Sequence, residues 1–164
     1  MTRCVLVGPP GAGKTTVGRI LAERLGAAFR DTAAAVEALA GKTIPDIFFD
    51  DGEAEFRRLG RLAVVAALKE HDGVLALGGG AIGDPDTRDD LLAHTVVHLT
   101  VPLHDATKRG GWGPGRPMID LNPRAKLAEL MAKRRPFYDE VATFTVDTSG
   151  RTPEQVADEV VGQL

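Results

Sequence analysis

Between an apolar run, Val5-Leu6-Val7, and an amphipathic run that starts at Lys14, residues 8–15 read Gly-Pro-Pro-Gly-Ala-Gly-Lys-Thr. A full GxxxxGK[ST] pattern in a strand-loop-helix setting leaves few folds open. Its glycines let backbone N–H groups turn toward one point, and the helix that starts there adds the positive end of its dipole. Such a loop is a cradle for phosphate groups. Lys14 can reach the outer phosphates, and the Thr15 hydroxyl can hold a magnesium ion.

The rest of the chain repeats the alternation that begins here, which predicts an α/β fold with a five-stranded, mostly parallel central sheet flanked by helices in three layers. Strands are expected at 3–7, 27–30, 74–77, 95–100 and 142–146. Helices are expected at 14–25, 32–39, 43–49, 52–69, 103–109 and from Pro123 to about Tyr138. In the first helix Val17, Ile20, Leu21 and Leu25 share one face; in the helix over 52–69 Phe56, Leu59, Ala63, Ala66 and Ala67 do, with Gly60 interrupting it. Asn122 caps the helix that Pro123 opens, and Thr152-Pro153-Glu154-Gln155 forms a capping box for a terminal helix. Residues 110–117, Gly-Gly-Trp-Gly-Pro-Gly-Arg-Pro, are too rich in glycine and proline for regular structure. They make 110–122 a candidate mobile lid.

At 164 residues the chain fits one domain, 1–164, with a sizeable core. A net charge of −3 argues against a nucleic-acid partner or an anionic membrane surface. No apolar stretch approaches the ~20 residues of a membrane span, and no signal peptide precedes the first strand, so a cytoplasmic location is expected. Cys4, the single cysteine, reads as a small buried hydrophobe in a reducing compartment. His71, His94, His98 and His104 lack metal-ligand spacing, and His98 reads as structural. With no evident apolar surface stripe, a monomer is the default.

A phosphate cradle alone suits ATPases, GTPases and kinases of nucleotides or small molecules. The absence of an NKxD segment argues against guanine recognition. One small domain with a lid suits transfer to a small acceptor from which water must be kept away.

Several further motifs occur in order along the chain: Asp31-Thr32 after the second strand, Asp51-Gly52-Glu53 leading into Glu55-Phe56-Arg57-Arg58, and Gly78-Gly79-Gly80. Arg116-Pro117, Lys133-Arg134-Arg135-Pro136 with Tyr138, and Arg151-Thr152-Pro153 follow. With the cradle, this ordered set resembles the shikimate kinase family over essentially the whole chain. The resemblance implies ATP-dependent phosphorylation of the shikimate 3-hydroxyl, a step toward aromatic amino acids, with Mg²⁺ bridging the phosphates. It implies that Gly11, Ala12, Gly13, Lys14, Thr15 and Thr16 wrap the phosphates and that Arg109, Arg151 and Pro153 flank the adenine. Lys14 and Arg116 neutralise the transferring group, and Thr15 ligates magnesium with Asp31 behind it; Lys14, Asp31 and Arg116 are thereby the catalytic set. On the acceptor side, in segment 31–60 and beyond, Arg57 and Arg134 clamp the carboxylate. Gly78, Gly79 and Gly80 give room and N–H groups, and Phe56 a wall. The bare residues also allow a solvated helix face for the arginines and a strand-ending turn for the glycines.

Two positions depart from the family pattern. Where relatives carry Asp-x-Asp after the second strand, this chain reads Asp31-Thr32-Ala33, so the acid expected against the acceptor hydroxyls is a methyl group. Where the family commonly has glutamate, one turn after Arg57, this chain has Gly60, which removes a brace for that guanidinium. Asp46, Asp50 and Asp51 are possible stand-ins, although acids are expected where a helix begins. Divergence, deliberate inactivation and a shifted substrate all produce such a pattern. The alternatives are a weak or inactive binder of ATP and shikimate, or a kinase for another small polyol or acid such as gluconate.

Overall fold

The computed structural model describes residues 3–78, 80–109 and 123–164, with the backbone alone at 107–109, 123–124 and 126. The expected lid at 110–122, with Trp112, Arg116 and Asn122, lies outside the described residues, as do Gly79 and the Arg109 side chain.

Along the chain the elements are β1 (Cys4–Val7), α1 (Lys14–Leu25), β2 (Ala28–Asp31), α2 (Thr32–Ala40), α3 (Ile44–Asp51) and α4 (Glu53–Glu70). There follow β3 (Gly73–Ala76), a 3₁₀ turn (Ala81–Gly83), α5 (Pro85–Leu91), β4 (Val96–Thr100), α6 (Leu103–Arg109), α7 (Pro123–Val141), β5 (Phe144–Asp147) and α8 (Pro153–Gln163). The strands form one sheet in the order β2-β3-β1-β4-β5, with every pairing parallel. No helix among the described residues is long and apolar enough to cross a membrane.

The apolar runs explain the layers. All four residues of β1 are buried, and they alternate: Cys4 and Leu6 join one cluster with Val17 and Leu21 of α1 and Val156 and Val160 of α8. Val5 and Val7 face Val64 and Ala67 of α4, Leu91 of α5 and Val141 of α7 on the other side. A strand covered on both faces carries no polar side, and each such Val or Leu contributes about 1.5–3 kcal/mol by burial. Cys4 is the small hydrophobe expected, its thiol pushed up to about 12 by burial. A third, smaller cluster of Val36, Ile47, Leu59 and Ala63 binds α2, α3 and α4 together.

Three expectations need correction, and one helix goes beyond them. Gly60 does not interrupt α4, which runs unbroken from Glu53 to Glu70. A glycine there costs about 1 kcal/mol but removes no backbone hydrogen bond, and burial of Leu59, Ala63, Val64 and Ala67 holds the helix through it. Asp31 is the last residue of β2 and caps α2. Helix α7 continues past Tyr138 to Val141, with Pro136 inside it; Tyr138 and Val141 are both buried and hold the last turn. The short, charged α5 has no apolar period to read, yet Asp84 caps it and Pro85 opens it, a start signal visible in the sequence. The Thr152–Gln155 capping box forms as expected.

In a parallel sheet the loops after successive strands gather at one edge, and the crossover from β1 past β3 to β2 opens a crevice there. The cradle after β1, the Asp31–Ala33 corner after β2 and the glycine turn after β3 share this edge.

Candidate active site

The cradle is a turn that few sequences can make. Gly11 and Gly13 have φ of 83° and 90°, in the left-handed region that costs other residues about 1–2 kcal/mol. Gly13 caps α1 without a side chain, leaving the first N–H groups of the helix directed toward the crevice. Lys14 folds back over the loop, its Nζ donating to the carbonyls of Gly8 at 2.7 Å and Pro9 at 3.2 Å. The Thr15 hydroxyl donates to Asp31 Oδ2 at 3.2 Å. A hydroxyl and a carboxylate meeting at one point beside a phosphate cradle are hard oxygen donors, so the pair fits a magnesium ion that keeps most of its water.

Asp31 also reaches the other way. Its Oδ1 accepts from the Ala33 N–H at 2.9 Å, fixing the first turn of α2. That turn brings two groups to the β3 loop: the Thr32 hydroxyl accepts from the Gly78 N–H at 2.8 Å, and the Ala33 methyl faces Gly78. A Cβ built at Gly78 would lie 3.7 Å from it. Ala33 therefore presents a methyl group to the glycine turn, at the position where the sequence resemblance implies a carboxylate.

The α4 wall carries Phe56, Arg57, Gly60 and Arg61. Phe56 packs on Phe48 with ring centroids 4.6 Å apart and borders Gly80, whose Cβ would stand 3.9 Å from the Phe56 ring. Arg57 donates to Glu53 at 2.6 Å, four residues earlier. A brace therefore exists even without an acid at position 60, although with the Arg57 side chain 72% exposed the pair is only weakly stabilising. Gly60 opens on empty space: a Cβ there meets nothing within 4 Å. From α7, Arg134 completes the wall. Burial pushes its guanidinium below the ordinary arginine range, the Tyr138 hydroxyl beside it works the other way, and the Arg57 charge adds to the lowering. The guanidinium stays charged, and Arg57 and Arg134 both line the crevice.

One cavity of about 1050 Å³ takes in all these groups. At the cradle end lie Gly11, Ala12, Gly13, Lys14, Thr15 and Thr16, with Arg151 and Pro153; at the other lie Ala33, Phe56, Arg57, Gly78, Gly80 and Arg134, with Asp31 between. Arg151 is held flat by Glu159 at 2.7 Å and by the carbonyls of Asp147 at 3.0 Å and Gln155 at 3.3 Å. The possible stand-in acids do not join the lining: Lys42 holds Asp50 and Asp51 at 3.5 and 2.8 Å, and Asp46 sits exposed in the first turn of α3. Sequence reasoning missed Thr32, Phe48 and Arg61 in the lining. Arg61 stands one helical turn beyond Arg57, so helix spacing alone could have placed it there. It is turned to α5, donating to the Thr87 hydroxyl at 3.0 Å and pairing with Asp90 at 2.8 Å.

The shikimate kinase family model matches residues 10–164. A shikimate kinase of Salinispora arenicola is 60% identical over 161 residues, covering 98% of this chain and 96% of that protein. One from Thermobifida fusca is 54% identical over 160 residues, covering 98% and 93%. Among solved structures, the shikimate kinase from Acinetobacter baumannii in complex with shikimate superposes with a TM-score of 0.93 at 38% identity, covering 98% of this chain and 90% of that one.

Proposed function

The chain belongs to the shikimate kinase family, and from that premise we propose that it transfers the γ-phosphoryl group of ATP to the 3-hydroxyl of shikimate. The observation that carries the reading is the single cavity with a phosphate cradle at one end and a pair of guanidinium groups at the other. Phosphoryl transfer asks a protein mainly for positioning and charge neutralisation, and the two ends divide that work.

At the donor end, the loop N–H groups and the α1 terminus hold the phosphates, and Lys14 leaves the Gly8 and Pro9 carbonyls for the transferring group. Thr15, with Asp31 behind it, holds magnesium, which when bound neutralises phosphate charge. Arg151 and Pro153 flank the adenine. Arg109, Arg116 and Gly79 enter the proposed site from the sequence resemblance alone. At the acceptor end Arg57 and Arg134 clamp the carboxylate, Phe56 bounds the ring, and Gly78 and Gly80 let it lie close to the backbone. The acceptor oxygen forms its bond to the γ-phosphorus as the bond to the bridging oxygen of ADP breaks, and the hydroxyl proton passes late to solvent water.

Asp31 is poorly placed to take that proton, since one oxygen accepts from Ala33 N and the other from Thr15. Ala33 can take none. A loose transition state makes late loss of the proton tolerable, so the chain works as a slow kinase, in the cytoplasm and as a monomer, with residues 1–164 acting as one domain.

The test is ATP-dependent formation of shikimate 3-phosphate by the chain as it stands and by Ala33→Asp. Turnover that rises with the restored acid supports both the reaction and the role of position 33. Efficient phosphorylation of gluconate or another polyol, with shikimate left untouched, overturns the choice of acceptor.

A further inference from the structure

The short helix α5 brings Pro85 and Thr87 to the cavity lining, and Arg88, set back from that lining, ties two acceptor walls together. Arg88 is only 16% exposed. Its Nη1 donates to the Ile82 carbonyl at 3.0 Å, and its Nε pairs with Glu140 Oε2 at 2.7 Å. The guanidinium carbon stands 4.1 Å from the centroid of the Phe137 ring. Three partners engaged by one planar fork is a geometry that lysine cannot reproduce.

Those partners belong to the two sides of the acceptor end. Ile82 is the buried centre of the 3₁₀ turn, which is hydrogen-bonded to the glycine turn itself: Ala81 N donates to Gly78 O at 3.1 Å and Gly83 N to Gly80 O at 3.2 Å. Phe137 and Glu140 lie on α7. Phe137 stands three residues after Arg134, on the same helical face, and both line the cavity. Building on the acceptor reading of the cavity, we propose that Arg88 is a positioning residue that sets the gap between the glycine turn and Arg134. Arg88 touches no substrate; it fixes where the carboxylate clamp stands relative to the backbone that receives the ring.

Helix α5 has other anchors, namely the Arg61 contacts to Thr87 and Asp90 and the fully buried Leu91, so Arg88 can be replaced without releasing the helix. Calorimetric titration of shikimate and, separately, of an unreactive ATP analogue with Mg²⁺ onto the unaltered chain, Arg88→Lys and Arg88→Gln tests the assignment. Arg88→Gln is expected to weaken shikimate binding about tenfold, as loss of charge-assisted hydrogen bonds does, while nucleotide affinity stays within about twofold. Arg88→Lys falls between. The double variant Arg88→Gln/Arg134→Lys loses less than the sum of the singles, because the two residues act through one contact.

Shikimate affinity unchanged in Arg88→Gln, or both ligands weakened alike, or additive losses, each overturn the proposal. A readout independent of any ligand is the Arg134 Nε–Hε signal in ¹H–¹⁵N spectra, assigned with Arg134→Lys. It is expected to shift and exchange faster in Arg88→Gln, and an unmoved signal counts against the clamp. If the unaltered chain binds no shikimate, the acceptor reading fails and this signal alone decides the role of Arg88. If Arg88→Gln does not fold, Glu140→Gln removes one arm of the fork, and the same measurements apply with smaller changes.

Discussion

At the cradle end of the cavity, Lys14 and Thr15 find their partners close by: Gly8 and Pro9 lie in the same loop, and Asp31 ends the strand that follows the same helix. At the acceptor end, Arg57, Gly80 and Arg134 come from one helix, one strand-ending turn and another helix. The Lys14 bonds stay within the loop, and the Thr15–Asp31 bond ties the start of α1 to the end of β2. The acceptor end is held by contacts between elements, and it is there that position 33 carries a methyl and position 60 an open space. A region built from its own hydrogen bonds can keep its geometry without its ligand. A region assembled across the fold depends on packing, and single residues in it can change without disturbing the rest.

This contrast is breakable by experiment. The largest effect is expected at the donor end: Lys14→Met should lower turnover by about 10³ or more, since its charge acts on the transferring group, while shikimate affinity measured by calorimetry stays unchanged. Loss of shikimate binding in that variant would mean the ends are not separable. Ala33→Asp should raise kcat by about 10²-fold with the KM for ATP unaltered; a change confined to the nucleotide KM would assign position 33 to the wrong end. Arg134→Leu should weaken shikimate binding by about 10–100-fold, as loss of a charged hydrogen-bonding partner does, and leave nucleotide affinity intact.

A smaller effect comes from behind the site. His98 is buried in the middle of β4, stacked on Tyr138 with centroids 4.7 Å apart, and its Nδ1 has no hydrogen-bond partner among the described residues. Burial lowers its affinity for a proton, with Asp139 opposing and Arg135 and Lys14 adding. The unfolded chain therefore takes up the proton first as pH falls. Stability should be full above about pH 6.5, the ordinary histidine value, and decline below it by up to about 1.4 kcal/mol per pH unit until the folded-state pKa is passed. Urea unfolding of the unaltered chain and of His98→Phe between pH 5 and 8 reads this directly; the same acid slope in both would assign it to other groups. The smallest effect is expected from Gly60→Ala, which should stabilise α4 by about 0.5–1 kcal/mol and raise Tm by a few degrees without changing acceptor affinity.

The two ends also differed in how readily the sequence disclosed them. The cradle was legible because its chemistry is written in consecutive residues, and the apolar runs of β1 and β3 were legible because burial on both faces leaves no polar positions. Phe56, Arg57 and Arg134 were reached only through the resemblance to a family, since by spacing alone they could equally have been a solvated helix face. Gly60 reads as a break by propensity alone, and the burial of Leu59, Ala63, Val64 and Ala67 that overrides it is set by the tertiary fold. Helix α5 escaped because a run as charged as Asp-Thr-Arg-Asp-Asp shows no periodicity, although Asp84-Pro85 announced its start. The Arg88 fork could not be read at all: Ile82, Phe137 and Glu140 become neighbours only once the sheet has brought α5 against α7.

The two oxygens of Asp31 give the scaffold an uneven tolerance for change. One holds the first turn of the helix that leads into the acceptor segment, the other a hydroxyl of the phosphate loop, so any replacement there disturbs both functions at once. Positions 33 and 60 lie close by in the same crevice, yet neither side chain makes a hydrogen bond that the fold depends on. Replacements at those two positions can therefore reshape the acceptor pocket without breaking a hydrogen bond of the fold, whereas a replacement of Asp31 loosens a helix start and the phosphate loop together.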